Sequence, residues 1–476
     1  MEKSFSLRKH GLFPPFNNRF IMKDITKFKL FRIRQNRNVR KDFNVNKFLL
    51  WLCLFLITAF VSAQEISPLL FDENDVYQQI KPWKTVPLDL VYGGLWVVTG
   101  DVDGDGEVDI VSVRNVDEND VHYTSTVVAQ RLDGSVIWHW GNPDIGRRIW
   151  HHDVACQIYD WDGDGKNEVV ICTKGFLIEF DGATGTIKRK LPLPDDATDC
   201  LVFANLSGNQ RATDVLVKTR YTQIWAYDRD GNLLWTVNHP GGYRTAHQPV
   251  PIDIDGDGKD EIMAGYALLN PDGAVRWVFQ SEKVDQKRGH LDCVRVLRAG
   301  KNPENFRLAL TCCGANNIAV VDGIGQTIWE VAGHHFESIS IGKIFPHIPG
   351  PQILVDIDHR PTGESPLWIL DENGNHLAQI VSNYCRHHAV IDWNGDGIDE
   401  FVIADSHALY GNNGKRIVLF EMPESAESIL PGDMNGDHIS DITLTTETAV
   451  YIYINEKGVK SAEPLPLGCG VNYTLY

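Results

Sequence analysis

Histidines recur beside arginine and tyrosine at one position of a repeating segment in this 476-residue chain, and such side chains can exchange protons with a bound ligand. The stretch HHDVACQIYDWDGDGKNE shows the arrangement, because two adjacent histidines precede an acidic loop. Comparable histidines occur in YRTAHQPV, RGHLDCV, HHFESIS and YCRHHAVI. The histidines in these stretches that we single out are His151, His152, His247, His290, His335, His387 and His388.

Cationic and aromatic residues accompany these histidines. Some lie directly beside them, and others lie at the ends of the strands that return towards the same side. In chain order they are Lys174, Arg220, Tyr221, Tyr243, Arg244, His359, Arg360, Arg386 and His407. The alternative is that recurrence reflects one ancestral segment, copied with its packing role intact. The flanking residues differ between copies while the polar, cationic character persists, which favours a binding or catalytic surface.

Histidine, tyrosine and arginine around an acidic ligand suit proton abstraction next to a carboxylate. In β-elimination on a uronic acid, a cation neutralises the carboxylate, a neutral base removes the C5 proton, and an acid protonates the leaving oxygen. The predicted base is His152 first, then His247 and His388. Tyr221 and Tyr243 are the predicted acids, and the predicted carboxylate neutralisers are Arg220, Arg244 and Arg386. The predicted substrate-binding residues are His151, Lys174, His290, His335, His359, Arg360, His387 and His407.

Hydrolysis remains open at this stage. A glycosidase of the usual kind needs two carboxyl groups flanking the scissile bond. No such pair stands out beside the histidines, where Asp153, Asp292 and Glu337 are scattered candidates.

Five acidic loops of the pattern D-x-[DN]-G-D-x-x-x-[DE] predict Ca²⁺ sites, because hard oxygen ligands at this spacing suit that ion. The fifth copy has His438 in place of a glycine, which we expect to weaken it by resisting a left-handed backbone. We expect the ions to act as structural staples. The predicted ligands are Asp101, Asp103, Asp105, Asp109, Asp160, Asp162, Asp164, Glu168, Asp253, Asp255, Asp257, Glu261, Asp392, Asn394, Asp396, Glu400, Asp433, Asn435, Asp437 and Asp441.

The loops belong to a repeat of roughly 40 to 60 residues, the period of a β-propeller blade. Three further copies lack the acids, and eight DG-type turns such as RDGNLLW keep the same count. Each unit reads as strand A, acidic loop, strand B, strand C, turn and strand D. The sequence therefore predicts an all-β fold in which residues 64–476 form one propeller, most simply eight-bladed with seven blades as the alternative. Residues 65–95 are expected to supply a strand that closes the ring.

The propeller geometry separates the two sets of candidate residues. Strand A lines the central channel and leads into the acidic loop, so the loops share one end of the ring. The histidines precede strand A and belong to the other end, roughly 15–25 Å away at about 3.3 Å per extended residue. The sequence thus predicts a polar funnel opposite the calcium loops.

The first 63 residues predict a secretory signal peptide. A basic segment with 13 Lys or Arg and 3 Asp or Glu precedes FLLWLCLFLITAFV, and the small residues that follow place cleavage before Gln64. We therefore expect a secreted protein, periplasmic or extracellular, and the alternative is that this segment is an uncleaved anchor helix.

Without residues 1–63 the formal charge is −28, which argues against nucleic acid as a partner. An acidic polysaccharide remains a suitable partner for a locally cationic funnel. We expect a monomer with no stable membrane anchor and assign no disulfide.

HHDVACQIYDWDGDGKNEVVICTKG and YRTAHQPVPIDIDGDGKDEIMAG resemble the repeats of the eight-bladed, calcium-rich rhamnogalacturonan lyases. The resemblance implies a secreted polysaccharide lyase that acts on a polymer of rhamnose and uronic acid, and related propeller lyases that cut ulvan use His, Tyr and Arg. Non-catalytic FG-GAP-type propellers share the repeat, so a calcium-stabilised glycan-binding or adhesion propeller is the alternative. DGATGTIKRK and the adjacent Cys312-Cys313 pair resemble the eight-bladed quinone-dependent dehydrogenases. That family is a more distant alternative, because its repeated tryptophan signature is incomplete here.

Overall fold

The computed structural model describes residues 68–69, 74–119, 121–145, 153–360 and 362–470. The chain divides into two units, residues 1–65 and 66–476, and every described residue belongs to the second. The predicted signal peptide and its cleavage point lie outside the described residues, as do His151 and His152. Within the described residues, no helix is long and apolar enough to cross a membrane.

Eight antiparallel sheets with the strand order A-B-C-D follow one another along the chain and form the blades of the propeller. The strands of blades 1 to 4 are Trp96–Gly100, Asp109–Asp117, His122–Arg131 and Val136–Gly141; Cys156–Tyr159, Glu168–Thr173, Phe176–Asp181 and Ile187–Pro192; Leu201–Ala204, Asp214–Lys218, Gln223–Tyr227 and Leu233–Asn238; Thr245–Ile252, Glu261–Gly265, Ala267–Leu269 and Val275–Val278.

The second half of the ring continues the same order. Its strands in blades 5 to 8 are His290–Arg298, Arg307–Cys313, Asn317–Val321 and Thr327–Ala332; His335–Gly342, Gln352–Asp358, Leu367–Leu370 and His376–Ile380; His388–Ile391, Glu400–Ile403, Ala408–Tyr410 and Arg416–Phe420; Ser428–Gly432, Asp441–Thr445, Ala449–Tyr453 and Lys84–Pro87. Pro68–Leu69 and Gln78–Ile80 add fifth strands to blades 6 and 7. Three short 3-10 helices occupy Pro240–Gly242, Gln286–Arg288 and Pro303–Asn305.

Strand composition follows position in the blade. Middle strands are apolar almost throughout because both of their faces pack against neighbouring blades. Glu168–Thr173, with the sequence EVVICT, is buried except at its last residue. Outer strands alternate, and in Ile187–Pro192 exposed residues alternate with half-buried ones from Lys188 onward. The first strands of neighbouring blades contact one another, so strand A lines the centre as the sequence predicts.

The ring closes through a strand that precedes blade 1 in the chain. Lys84–Pro87 pairs antiparallel with Ala449–Tyr453 and becomes the outer strand of blade 8. A second contact joins the same blades, because the Cys469 N–H donates to Oγ1 of Thr99 at 2.8 Å. Eight blades, rather than seven, and a closing strand within residues 65–95 are both confirmed.

In several blades, a tryptophan of the outer strand forms a hydrogen bond with the next blade. The indole N–H of Trp235 in blade 3 donates to the carbonyl of Pro271 in the C–D turn of blade 4 at 2.9 Å. The same turn carries Gly273 at φ +82°, where an added Cβ would lie 2.8 Å from the Trp235 ring. Equivalent bonds run from Trp138 to Gly182, from Trp277 to Gly323 and from Trp329 to Glu372. The recurring DG turns and tryptophans of the sequence therefore mark contacts between blades.

Candidate functional site

The five acidic loops share one geometry at the ends of their A strands. The carboxylate at position 9 accepts a hydrogen bond from the backbone N–H at position 2, and the Asp at position 1 accepts one from position 4. For Glu168 the first bond comes from Trp161 at 2.8 Å, and for Asp160 the second comes from Gly163 at 2.8 Å. The position-9 bonds in the other loops reach Asp109, Glu261, Glu400 and Asp441. His438 adopts the left-handed conformation, with φ +65°, that we expected it to resist.

Two of the five buried position-9 carboxylates contact a basic side chain among the described residues. In two loops a basic side chain bridges positions 3 and 9, as when Lys188 contacts Asp162 at 2.6 Å and Glu168 at 2.7 Å. Arg276 bridges Asp255 and Glu261 in the same way. Where position 3 is Asn394, its amide donates to Glu400 instead. Burial raises the pKa of Asp109 and of Glu400 to about 7, the direction expected for carboxylates that a divalent cation would stabilise. The oxygen donors therefore fit Ca²⁺, whose binding remains a prediction.

At the opposite end of the A strands, polar side chains from successive blades meet in one buried cluster, hereafter the central cluster. His247 Nδ1 lies 2.6 Å from Oδ2 of Asp153, which also contacts Arg220 at 3.3 Å. His247 Nε2 lies 2.8 Å from Nε2 of His290, and both nitrogens face Oδ1 of Asp292, at 3.3 and 2.9 Å. Blades 2 to 5 thus each contribute to a group that includes two predicted histidines.

A buried ion network supports this group from blades 1 and 3. Lys218, with no exposed surface, contacts Asp199 Oδ2 at 2.6 Å and donates to the carbonyls of Thr219 and Arg220. Asp199 Oδ1 also contacts His122 Nδ1 at 3.1 Å. Burial raises the pKa of Asp199, but the positive charge of Lys218, a hydrogen bond from His122 and the positive charge of Arg220 outweigh burial and hold that pKa below its usual range. The network fixes the turn that carries Arg220 and Tyr221.

Blades 5 to 7 complete the cluster. His335 Nε2 lies 3.1 Å from Cys313 Sγ and 2.7 Å from Glu337 Oε1. Arg386 bridges two carboxylates, with Nη2 at 2.9 Å from Glu337 and 2.6 Å from Asp358. The carboxylates of Asp292 and Glu337 belong to one group whose possible ligand atoms lie within 4.8 Å of one another. The sequence did not indicate this carboxylate pair, because its members lie 45 residues apart in different blades.

The three predicted carboxylate neutralisers differ in their surroundings. Arg220 and Arg386 are largely buried and already paired with aspartate or glutamate. Arg244 is exposed, and no described carboxylate pairs with it. Its guanidinium lies 5.1 Å from the centre of the Tyr221 ring, and that ring packs on His290 at 4.6 Å between centroids. Arg244 is therefore the neutraliser free to meet an anionic ligand beside the histidines.

Burial sets the protonation of the groups next to Arg244. It lowers the pKa of His290 to about 4. It also lowers the pKa of His247 well below its ordinary value, because His247 would have to become charged beside another imidazole, His290, and beside the cation of Arg220. Both imidazoles are thus neutral at pH 7. Burial also raises the pKa of Tyr221 to about 12, so its phenol keeps its proton. Two neutral imidazoles that can accept a proton therefore lie beside a phenol, Tyr221, that can donate one.

The remaining predicted residues are more dispersed. Both ring nitrogens of His388 face backbone carbonyls, Nδ1 at 2.8 Å from Cys385 and Nε2 at 3.4 Å from Leu354. Lys174 pairs with Glu118 on the surface. Tyr243 packs edge-on against Tyr266. His387 packs near Tyr384, His407 contacts the carbonyl of Phe420, and Arg360 is exposed. His359 is also exposed but adjoins the central cluster, with its ring 4.4 Å from that of His335 between centroids.

Sequence reasoning missed His122, Asp199, Lys218 and Cys313. Lys218 carried a usable signal, since a lysine that ends the buried run DVLVK must find a charged partner. His122 begins strand C of blade 1, whereas the repeat pattern indicated only histidines near the start of strand A, so the pattern did not include it. Imidazole and thiol donors in the central cluster do not suit Ca²⁺, which takes oxygen ligands. The fitting sites for that ion are the acidic loops.

Comparisons with known proteins agree with the resemblance noted in the sequence. No family model matches the chain. The rhamnogalacturonan endolyase YesW of Bacillus subtilis strain 168 is 27% identical over 268 residues, covering 40% of this chain and 43% of that protein. The exolyase YesX of the same strain is 29% identical over 298 residues, covering 49% and 47%. Each match therefore spans less than half of the relative's length.

The fold is shared over a larger part of the chain. A crystal structure of rhamnogalacturonan lyase YesW superposes with a TM-score of 0.59 at 21% identity, covering 81% of this chain and 77% of that one. This likeness confirms the propeller architecture. The sequence similarity confirms that the relatives of this chain are rhamnogalacturonan lyases.

Proposed function

We propose that the chain is a secreted lyase that cleaves a uronate-containing polysaccharide by β-elimination, and that its substrate is rhamnogalacturonan or the chemically related ulvan. The observation that carries this proposal is the contact series from exposed Arg244 through Tyr221 to His290 and His247. The two relatives named rhamnogalacturonan lyases support the first polymer.

Each member of the series has a step to perform. Arg244 pairs with the uronate carboxylate and stabilises the negative charge that develops when the C5 proton leaves. The His247–His290 pair supplies the base, because both imidazoles are neutral and Asp153 lies at the far nitrogen of His247. The C5–H electrons form the C4–C5 double bond as the C4–O bond breaks. Tyr221 donates its proton to the leaving oxygen.

Arg220 and Arg386 take supporting roles in this scheme. Arg220 contacts Asp153 and Asp199, and Asp153 in turn contacts His247. Arg386 contacts Glu337 and Asp358, which both lie in blade 6. Ca²⁺ bound in the acidic loops would stabilise the A–B connections at the other end of the ring, without contact with the substrate.

The test uses the full chain with Ca²⁺ and a panel of pectic and algal uronate polysaccharides. Ultraviolet absorbance reports the new C4–C5 double bond, and product size separates internal cleavage from release at a chain end. A rise on one polymer that slows about 10–100-fold in Arg244→Ala and keeps its rate in Arg298→Ala supports the proposal. Arg298 is the matched control because it is an exposed arginine at the end of its A strand, away from His290.

Two other outcomes would replace the proposal. New reducing ends without a rise in absorbance would mean hydrolysis, for which Asp292 and Glu337 are the adjacent carboxyl groups. Tight binding to one polymer in a gel-shift assay without any cleavage would indicate the glycan-binding propeller.

A further inference from the structure

We propose that Asp292, Cys313, His335 and Glu337 form a site for one thiophilic divalent cation of the Zn²⁺ class. Four donor atoms, one from each side chain, lie within 4.8 Å of one another. The closest pairs are Cys313 Sγ to His335 Nε2 at 3.1 Å and His335 Nε2 to Glu337 Oε1 at 2.7 Å. Cys313, His335 and Glu337 have no step in the proposed lyase chemistry, whereas Asp292 lies 2.9 Å from His290 and joins the two groups. The site is separate from the acidic loops.

The backbone presents the four donors from two adjacent blades. Asp292 lies in the A strand of blade 5, and Cys313 is the last residue of the B strand paired with it. His335 and Glu337 lie two residues apart in the A strand of blade 6. Because side chains two positions apart in a strand share a face, both point towards the blade 5 pair. Four donors on ordered strands form a preorganised site that spans the boundary between blades.

The donor set selects the class of metal. One thiol, one imidazole and two carboxylates match the four-coordinate sites of Zn²⁺, whereas Ca²⁺ takes six to eight oxygen ligands. Bonds of about 2.0–2.3 Å in a tetrahedron place ligand atoms about 3.3–3.8 Å apart. The two close pairs therefore need to separate by only about 0.2–1.1 Å to admit the ion.

Charge and access also fit a cation. Asp292, Glu337 and Asp358 bring three carboxylates, and Arg386 contacts two of them. The nearby histidines are His290 and His247, 2.9 and 3.3 Å from Asp292, and His359, 3.7 Å from Glu337. Asp292 and Glu337 are buried, whereas Cys313 and His335 are only partly so, which leaves a route for an ion from the channel. Buried carboxylates without matching cations are costly, and a bound cation removes that cost.

The test is a Co²⁺ titration of the metal-free full chain, because tetrahedral thiolate–cobalt sites absorb in the near ultraviolet and visible regions. We expect a thiolate band that saturates at one equivalent, resists excess Ca²⁺ and disappears when Zn²⁺ is added. Cys313→Ser should abolish the near-ultraviolet band. Cys469→Ser should keep it, since Cys469 is a half-buried thiol beside Thr99 near the acidic loops.

A second variant guards against a folding defect in Cys313→Ser. Glu337→Gln keeps the thiol, so it should retain the band while its Co²⁺ affinity falls at least about tenfold. No near-ultraviolet band in the wild type, or an unchanged band in Cys313→Ser, would overturn the proposal. Lyase activity is measured separately, so a cobalt band in a protein without lyase activity would reject only the proposed function, and lyase activity without a band would reject only the metal site.

Discussion

The guanidinium of Arg244 lies 5.1 Å from the centre of the Tyr221 ring, on the exposed side of a phenol that also contacts the buried His290. Arg220 approaches the same ring at 5.1 Å, but its charge is shared with Asp153 and Asp199. Tyr221 thus separates a solvent-facing cation from the neutral histidines behind it. An anionic sugar ring that pairs with Arg244 would place its neighbouring carbon close to Tyr221 and the histidines.

Replacement of Arg244 by alanine should therefore impair substrate binding and turnover together. A charge-assisted pair to a carboxylate contributes about 1.5–3 kcal/mol, which corresponds to a loss of about 10–100-fold in kcat/KM. Arg244→Lys should recover part of this loss, because the charge returns without the planar fork. Initial rates on the responsive polymer measure both variants. Unchanged kcat/KM in Arg244→Ala would remove Arg244 from the site.

His247 and His388 should respond differently to substitution, although the sequence ranked them together. His247→Ala should lower kcat at least about 100-fold, the usual contribution of a positioned acid or base. His388→Ala should leave kcat within a few-fold and lower stability by about 1–3 kcal/mol, because its ring nitrogens contact backbone carbonyls. Steady-state kinetics and urea unfolding of both variants check the contrast. A loss of turnover in His388→Ala without loss of stability would reverse the assignment.

The sequence predicted features that depend on local pattern. The acidic loops repeat their ligands at fixed spacing, and the DG turns place glycine where φ is positive, so the blade count followed from residues close in the chain. The central cluster depends on which side chains meet across blades. Arg220 and Arg244 look equivalent in sequence, and only strand register and side-chain direction show that Asp153 and Asp199 pair with one of them. Cys313 gave no local signal of its contact with His335, because that contact joins two blades.

The Lys218–Asp199 pair should stabilise the fold in a pH-dependent way. Loss of one partner from a buried ion pair costs about 3–5 kcal/mol, so Asp199→Asn should unfold at lower urea concentration at pH 7. The pKa of Asp199 is depressed in the folded state, so its contribution is complete above about pH 4, the ordinary carboxyl range. It declines as the pH falls towards the folded-state pKa. The wild type and the variant should therefore converge in acid.

Urea unfolding at a series of pH values gives this comparison. Asp195→Asn is the control, because Asp195 is an exposed carboxylate close in sequence. A stability difference that stays constant into acid would mean that the carboxylate charge of Asp199 is not what stabilises the network.

The contact between Trp235 and Gly273 should be needed to hold blades 3 and 4 together. Gly273→Ala should destabilise the protein by more than about 1–2 kcal/mol, since a Cβ is strained at φ +82° and would meet the Trp235 ring at 2.8 Å. Trp235→Phe should cost about 0.5–1.5 kcal/mol through loss of the bond to the Pro271 carbonyl. Thermal unfolding measures both. Gly363→Ala is the control, with φ +74° and no atom near its added Cβ, and it reports the backbone strain alone.

Ca²⁺ should raise the unfolding temperature, and the effect should depend on the position-9 carboxylates. Binding to the folded state alone stabilises a site by about 2.7 kcal/mol at 100 times its dissociation constant. Glu400 is an informative target, because burial raises its pKa to about 7 and its loop has an asparagine rather than an aspartate at position 3. Glu400→Gln should lower the unfolding temperature in Ca²⁺ and reduce the number of ions bound by one. In excess chelator the unfolding temperature of the variant should approach or exceed that of the wild type, since a neutral amide avoids the cost of burying a carboxylate that has lost its cation.

The control is Glu304→Gln, which changes an exposed glutamate and should have the unfolding temperature of the wild type under both conditions. Equal shifts with and without chelator in Glu400→Gln would show that Glu400 stabilises the loop through its hydrogen bonds and not through Ca²⁺.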